Sequence, residues 1–114
     1  MLKLKCACEN EQDYLIEFHE GSEFQVGLNT ELDGLFVSIH LPELDYNEKN
    51  KYYLIFKDYL AQKDTLKINK VELFNNDILL FDSEQAKAHY EGFFFRENTS
   101  TEGLVFYANL IFDK

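Results

Sequence analysis

The chain has 114 residues, 46% of them apolar and 16% aromatic, with five Gly, one Pro and a formal charge of −10. This length and composition fit one domain that buries a core without disulfide or metal staples, and exclude intrinsic disorder and collagen-like repeats. The longest uncharged apolar stretch, Gly103 to Phe112, is ten residues, too short for a spanning helix, and the Lys-containing start Met1-Leu2-Lys3-Leu4-Lys5 has no secretory h-region, so a cytoplasmic location is expected.

Leu2, Leu4, Cys6 and Cys8 alternate with Lys3, Lys5 and Ala7, the period of a half-buried strand. Tyr14, Ile16 and Phe18 alternate in the same way, Glu20-Gly21-Ser22-Glu23 supplies a turn, and Phe24, Val26 and Leu28 resume the pattern, which predicts a hairpin. A turn-rich run from Asn29 to Gly34 leads into a strand carrying Leu35, Val37, Ile39 and Leu41, which Pro42 stops. Asp45 followed three residues later by Glu48 has the form of a capping box, and Tyr52, Ile55, Phe56, Tyr59 and Leu60 fall on one helical face that ends near Lys63.

An extended run then starts at Leu66 and Ile68 and continues through Val71 and Leu73, with a parity shift near Asn69 and Lys70 that predicts a bulge. Asn75-Asn76-Asp77 turns the chain into Ile78 to Phe81. Asp82 or Ser83 is placed to cap a short helix over Glu84 to Glu91, closed by Gly92. In Phe93-Phe94-Phe95, Phe93 and Phe95 share one strand face and Phe94 takes the other. Leu104 to Phe112 is apolar on both parities, as in a strand covered on both sides. The order predicts a single α+β domain over residues 1–114, with a largely antiparallel sheet of six to seven strands and one longer and one short helix packed on it.

The charge is concentrated. Between Cys6 and Glu48 there is no Lys or Arg, but there are eleven carboxylates: Glu9, Glu11, Asp13, Glu17, Glu20, Glu23, Glu31, Asp33, Glu43, Asp45 and Glu48. From Lys49 onward, nine basic and ten acidic residues nearly cancel. Solubility alone accounts for such a segment in general, since net charge keeps small domains dispersed. The more specific expectation is a negative surface matched to a basic partner, built from Glu9, Glu11, Asp13, Glu17, Glu20, Glu23, Glu31 and Asp33. On an extended strand, carboxylates two residues apart stand about 6.7 Å from one another, a ladder that a basic groove reads as it reads a phosphate chain. Direct nucleic-acid binding is disfavoured by the sign of the charge.

Other chemistry is sparse. Cys6-x-Cys8 with His19 and His40 could be assembled into a four-ligand metal site, but the histidines are isolated, and buried thiols are the default in a reducing compartment. Asn29-x-Glu31-x-Asp33-Gly34 has the start of a calcium loop, yet its twelfth position is His40 where a bidentate Glu is needed. Asn98-Thr99-Ser100 is a glycosylation sequon without a secretory context. No nucleophile elbow, phosphate loop, dinucleotide fingerprint or zincin helix is present, and the three His are far apart, so neither an enzyme nor a cofactor is expected.

The sequence therefore predicts a small acidic protein-binding module, of inhibitor or immunity type, that blocks a basic and nucleic-acid-handling protein by charge complementarity, with no membrane partner. One alternative is an assembly protein that forms a homodimer through aromatic surface at Phe94 or along Tyr52, Tyr53 and Tyr59, and a second is a metal-binding module or enzyme built on Cys6, Cys8, His19 and His40.

Overall fold

A computed structural model describes residues 1–9, 12–98 and 103–114. Among the described residues there are eight strands: β1 (Leu2–Cys8), β2 (Tyr14–Glu17), β3 (Glu23–Asn29), β4 (Gly34–His40), β5 (Ile68–Asn75), β6 (Ile78–Asp82), β7 (Ala88–Asn98) and β8 (Gly103–Phe112). The single helix among the described residues, α1 (Tyr46–Gln62), separates β4 from β5. The strands form two antiparallel four-stranded sheets, ordered β2-β1-β5-β6 and β3-β4-β8-β7.

Two sheets rather than one change how the first half of the chain is wired. The hairpin expected between residues 14–18 and 24–28 does not form. β2 pairs with β1, β3 pairs with β4, and the turn at residues 20–22 carries the chain from one sheet to the other. Period-two patterning identifies a strand and its buried face but not its neighbour, and a tight polar turn serves a crossover between layers as well as a hairpin.

The inner faces of the two sheets meet in one cluster. Leu2, Leu4, Cys6, Ile16, Val71 and Leu73 from the first sheet face Val37, Ile39, Phe106, Ala108 and Leu110 from the second. Phe18, just beyond β2, packs its ring 5.2 Å from that of Phe106. Burial of these side chains is the main favourable term for the fold, at roughly 25 cal/mol per Å² of apolar surface removed from water. β8 runs between β4 and β7, the central position that its unbroken apolar pattern predicts. Gly34 opens β4 where it lies against β8: a Cβ there would stand 1.8 Å from the carbonyl oxygen of Leu110, so no larger residue fits that approach.

α1 begins as its sequence predicts. Asp45 is the N-cap, and its side chain accepts a hydrogen bond from the Glu48 backbone N–H at 2.8 Å. The Glu48 carboxylate does not complete a reciprocal capping box but reaches His19, 3.7 Å away. The helix lies over the β2 and β7 side of the two layers, with Tyr52 beside Phe18 and Phe95, Phe56 beside Phe95, and Tyr59 beside Tyr14 and Phe93.

The bulge expected near Asn69 is present: Ala7 pairs with Lys70 and Cys8 with Ile68, which leaves Asn69 without an opposite residue. The short helix expected over Glu84 to Glu91 is replaced by turns at residues 83–87 and the start of β7 at Ala88. Of the two expected caps, Asp82 accepts a hydrogen bond from the Glu84 N–H at 2.9 Å within the turn, and Ser83 is used elsewhere. The Ser83 hydroxyl accepts a hydrogen bond from the Val71 backbone N–H at 2.9 Å, and the Ser83 N–H donates to Val71 O at 3.0 Å, so Ser83 anchors the corner to β5 rather than starting a helix. Gly92, read as a helix terminus, sits at the register shift in β7 opposite Asn109.

Candidate functional site

The acidic residues divide into two sets according to what lies next to them. On the outer face of the first sheet, Glu17 pairs across from Lys3, and the Asp13 carboxylate lies 3.4 Å from the Lys5 ammonium. The two lysines that precede the acidic segment are therefore laid directly against it, and Asp13 and Glu17 are not a bare phosphate-like ladder. Glu9 is exposed just past β1, with its N–H bonded to Lys67 O at 2.8 Å. Glu11 lies outside the described residues, as do Thr99 and Ser100 of the sequon.

The second set brackets β3. Glu20 and Glu23 stand at its start and line a cleft of about 470 Å³ together with Phe24 and with Leu80 of β6. Glu31 and Asp33 lie in the loop that joins its end to β4, where Asp33 holds φ 52 and its carbonyl accepts Phe112 N–H at 3.1 Å. Among the described residues, none of these four carboxylates forms an ion pair.

Between the two carboxylate pairs runs an apolar row. Phe24, Val26 and Leu28 pair with Ile39, Val37 and Leu35, so they are on the core-facing side of the second sheet. Their partners Ile39 and Val37 are wholly buried, yet Phe24, Val26 and Leu28 remain 42%, 39% and 69% exposed. The cause is positional. β3 is the outermost strand of its sheet, α1 lies over the β2 and β7 side of the two layers, and β6, an edge strand of the other sheet whose Leu80 shares a cleft with Phe24, itself exposes Ile78 and Leu80. This row was missed at the sequence level because its alternation is the same as that of a covered strand.

The remaining candidate residues are dispersed. Cys6 is in the core, where burial pushes its thiol up, and its charged neighbourhood adds to the shift. His40 is on the outer face of the second sheet, 3.4 Å from the buried Ser38 hydroxyl, whereas His19 contacts Glu20 O and Glu48. Among the described residues no group of three or more His, Cys, Asp or Glu is placed to hold a metal ion. The loop from Asn29 to Gly34 serves as a hairpin connection between β3 and β4.

Aromatic exposure is also redistributed. Tyr52 and Tyr59 are buried beneath α1, which withdraws them from any outer surface. Phe94 does face outward, stacked 4.8 Å from Tyr107, and the Phe36 ring meets Tyr107 edge-on at 6.2 Å. Among the described residues no helix is long and apolar enough to cross a membrane. Comparison with protein-family models, with curated proteins and with solved structures gave no match for this chain.

Proposed function

We propose that this chain is a binding module for a basic protein, and that it works by covering part of that protein's surface. The observation that carries this reading is the pairing of exposed apolar side chains with uncompensated carboxylates on one edge: Phe24, Val26 and Leu28 lie between Glu20 and Glu23 at one end and Glu31 and Asp33 at the other. Apolar area contributes affinity, while unpaired charge at the rim steers encounter and selects the sign of the partner. Asp13 and Glu17, held beside Lys5 and Lys3, contribute less to such a field. An inhibitory role follows if the covered surface is one the partner uses for an anionic ligand.

The test is affinity capture with the intact chain and with the variant E20Q/E23Q/E31Q/D33N in parallel, at about 0.1 M and about 1 M salt, where the screening length falls from roughly 10 to roughly 3 Å. The expected result is a strongly basic protein retained by the unmodified chain at low salt, released at high salt and not retained by the variant. Equal retention by both chains, or a partner held equally at both salt concentrations, would remove the charge reading. Association of the chain with itself that holds or tightens in high salt would favour instead an assembly built on the outward Phe94 and Tyr107 rings.

A further inference from the structure

We propose that the free edge of β3 receives an extended segment of the basic partner as an added strand, with basic residues at the two ends of that segment and apolar residues at alternate positions between them. The inference rests on the reading above and specifies its geometry.

Among the described residues, four edge strands bound the two sheets: β2 and β6 in one, β3 and β7 in the other. A free edge presents unpaired N–H and C=O groups and is ordinarily guarded by shortness, a bulge, a charge, a proline or a covering element. β2 and β7 lie beneath α1, to which they are fastened by a hydrogen bond from Tyr14 OH to Ile55 O at 3.5 Å and by the Tyr53 to Glu97 hydrogen bond. β6 is only five residues long, and its pairing with β5 is interrupted by a register shift. Among the described residues β3 has no covering element, bulge or proline. It is seven residues long and pairs with β4 in unbroken register, and Glu23, at its first position, is its only charged residue. Every second residue of such a strand directs its N–H and C=O away from the neighbour it already has.

The side chains point to the same occupant. A strand added beside β3 continues the second sheet by one position, so its inward residues stand beside Phe24, Val26 and Leu28, and the one beside Phe24 adjoins the cleft that Phe24 shares with Leu80. Seven residues span about 23 Å, so a guest with basic residues at both ends of a seven-residue stretch brings them to Glu20 and Glu23 at one end and to Glu31 and Asp33 at the other. A second copy of this chain is a poor guest. Antiparallel self-pairing centred on Val26 sets Glu23 opposite Asn29 and brings the carboxylates at one end of each strand to those at the other end of its mate, where like charges repel.

The probes are synthetic peptides with two basic residues at each end and a five-residue centre of alternating Val or Ile with Thr, a matched set with Glu at the ends, and versions N-methylated at every second central amide in either of the two phases. Binding to the full chain is followed by fluorescence anisotropy, and hydrogen exchange locates the contact. Strand addition predicts that basic-ended peptides bind and slow exchange within residues 23–29. Glu-ended peptides should bind at least about tenfold more weakly. One N-methylation phase should abolish binding while the other is tolerated, because only one peptide edge faces β3.

Salt-sensitive binding that tolerates both methylation phases and leaves exchange in 23–29 unchanged would overturn strand addition while leaving the charge reading intact. Equal binding of Glu-ended and basic-ended peptides with protection of β3 would keep strand addition and remove the charge reading. Protection of 23–29 in the absence of peptide, rising with protein concentration, would assign the edge to a second copy. No binding by any basic-ended peptide would overturn the proposal outright.

Discussion

At the scale of single residues, Ser83 shows most directly how a polar side chain is committed by its surroundings. Read along the chain, Ser83 before Glu84 looks like a helix cap. In the fold it is buried, and its hydroxyl is the partner of the Val71 N–H on a strand that is itself wholly buried at that point. Ser83→Ala would leave that N–H without an acceptor and without access to water, so a loss of about 1–3 kcal/mol is expected. Urea unfolding of the variant checks this, and a midpoint within error of the unmodified chain would show that Val71 finds another acceptor. Cys6 and the Phe triplet, by contrast, were legible from the sequence: alternation placed the Cys6 side chain inward, and it put Phe93 and Phe95 on the face opposite to Phe94. Parity along a strand is a local property and survives folding unchanged, whereas the hydrogen-bond partner of Ser83 is set by a residue twelve positions away.

Among the elements, α1 is the one whose sequence signals and tertiary contacts agree most closely, with two departures: Leu60, placed by spacing on the inward face, is exposed, and Glu48 meets His19 instead of closing the capping box. Its N-cap, its inward row of Tyr52, Phe56 and Tyr59, and its end at Lys63 all follow from spacing. Asp45→Ala removes the acceptor for the Glu48 N–H, with an expected cost of about 1 kcal/mol. Because α1 closes only one side of the layers, hydrogen exchange should rise first in α1 and in its contact strands β2 and β7. Uniform destabilisation of every strand would instead show that the helix does not open separately. The β2 and β3 segments mark the limit of element-level reading. Both were recognised as strands, but their assignment to different sheets depends on which edges remain free after the interior strands have paired, and no feature of residues 14–28 encodes that choice. The apolar row of β3 was hidden for the same reason, since exposure of a core-facing strand is decided by the strands that do not lie beside it.

For the molecule as a whole, titration of groups along the helix seam ties stability to alkaline pH. Burial raises Tyr14, Tyr52 and Tyr59 above the ordinary value of 10.0, and the hydrogen bond to Glu97, with a contribution from burial, pushes Tyr53 up to about 12. Cys6 is raised from its ordinary value of 9.0, chiefly by burial. In each case the neutral form is favoured in the folded state, so the contribution is fully present below the unfolded pKa and is lost as pH rises toward the folded one. The sequence of events is ordered. Stability contributed by Cys6 begins to fall above about pH 9, when the unfolded thiol ionises, and that of the four tyrosines above about pH 10, with the Tyr53 share exhausted once pH passes about 12. Urea midpoints measured from pH 8 to pH 12 should therefore decline in two stages. Cys6→Ala should remove much of the first stage, and Tyr53→Phe should flatten part of the second without affecting the first. The phenolate absorbance of the folded chain should lag behind that of the unfolded chain over the same interval. A midpoint that stays level through pH 11 would mean that these side chains meet water as readily in the fold as outside it, and that α1 does not seal the β2 and β7 side of the sandwich.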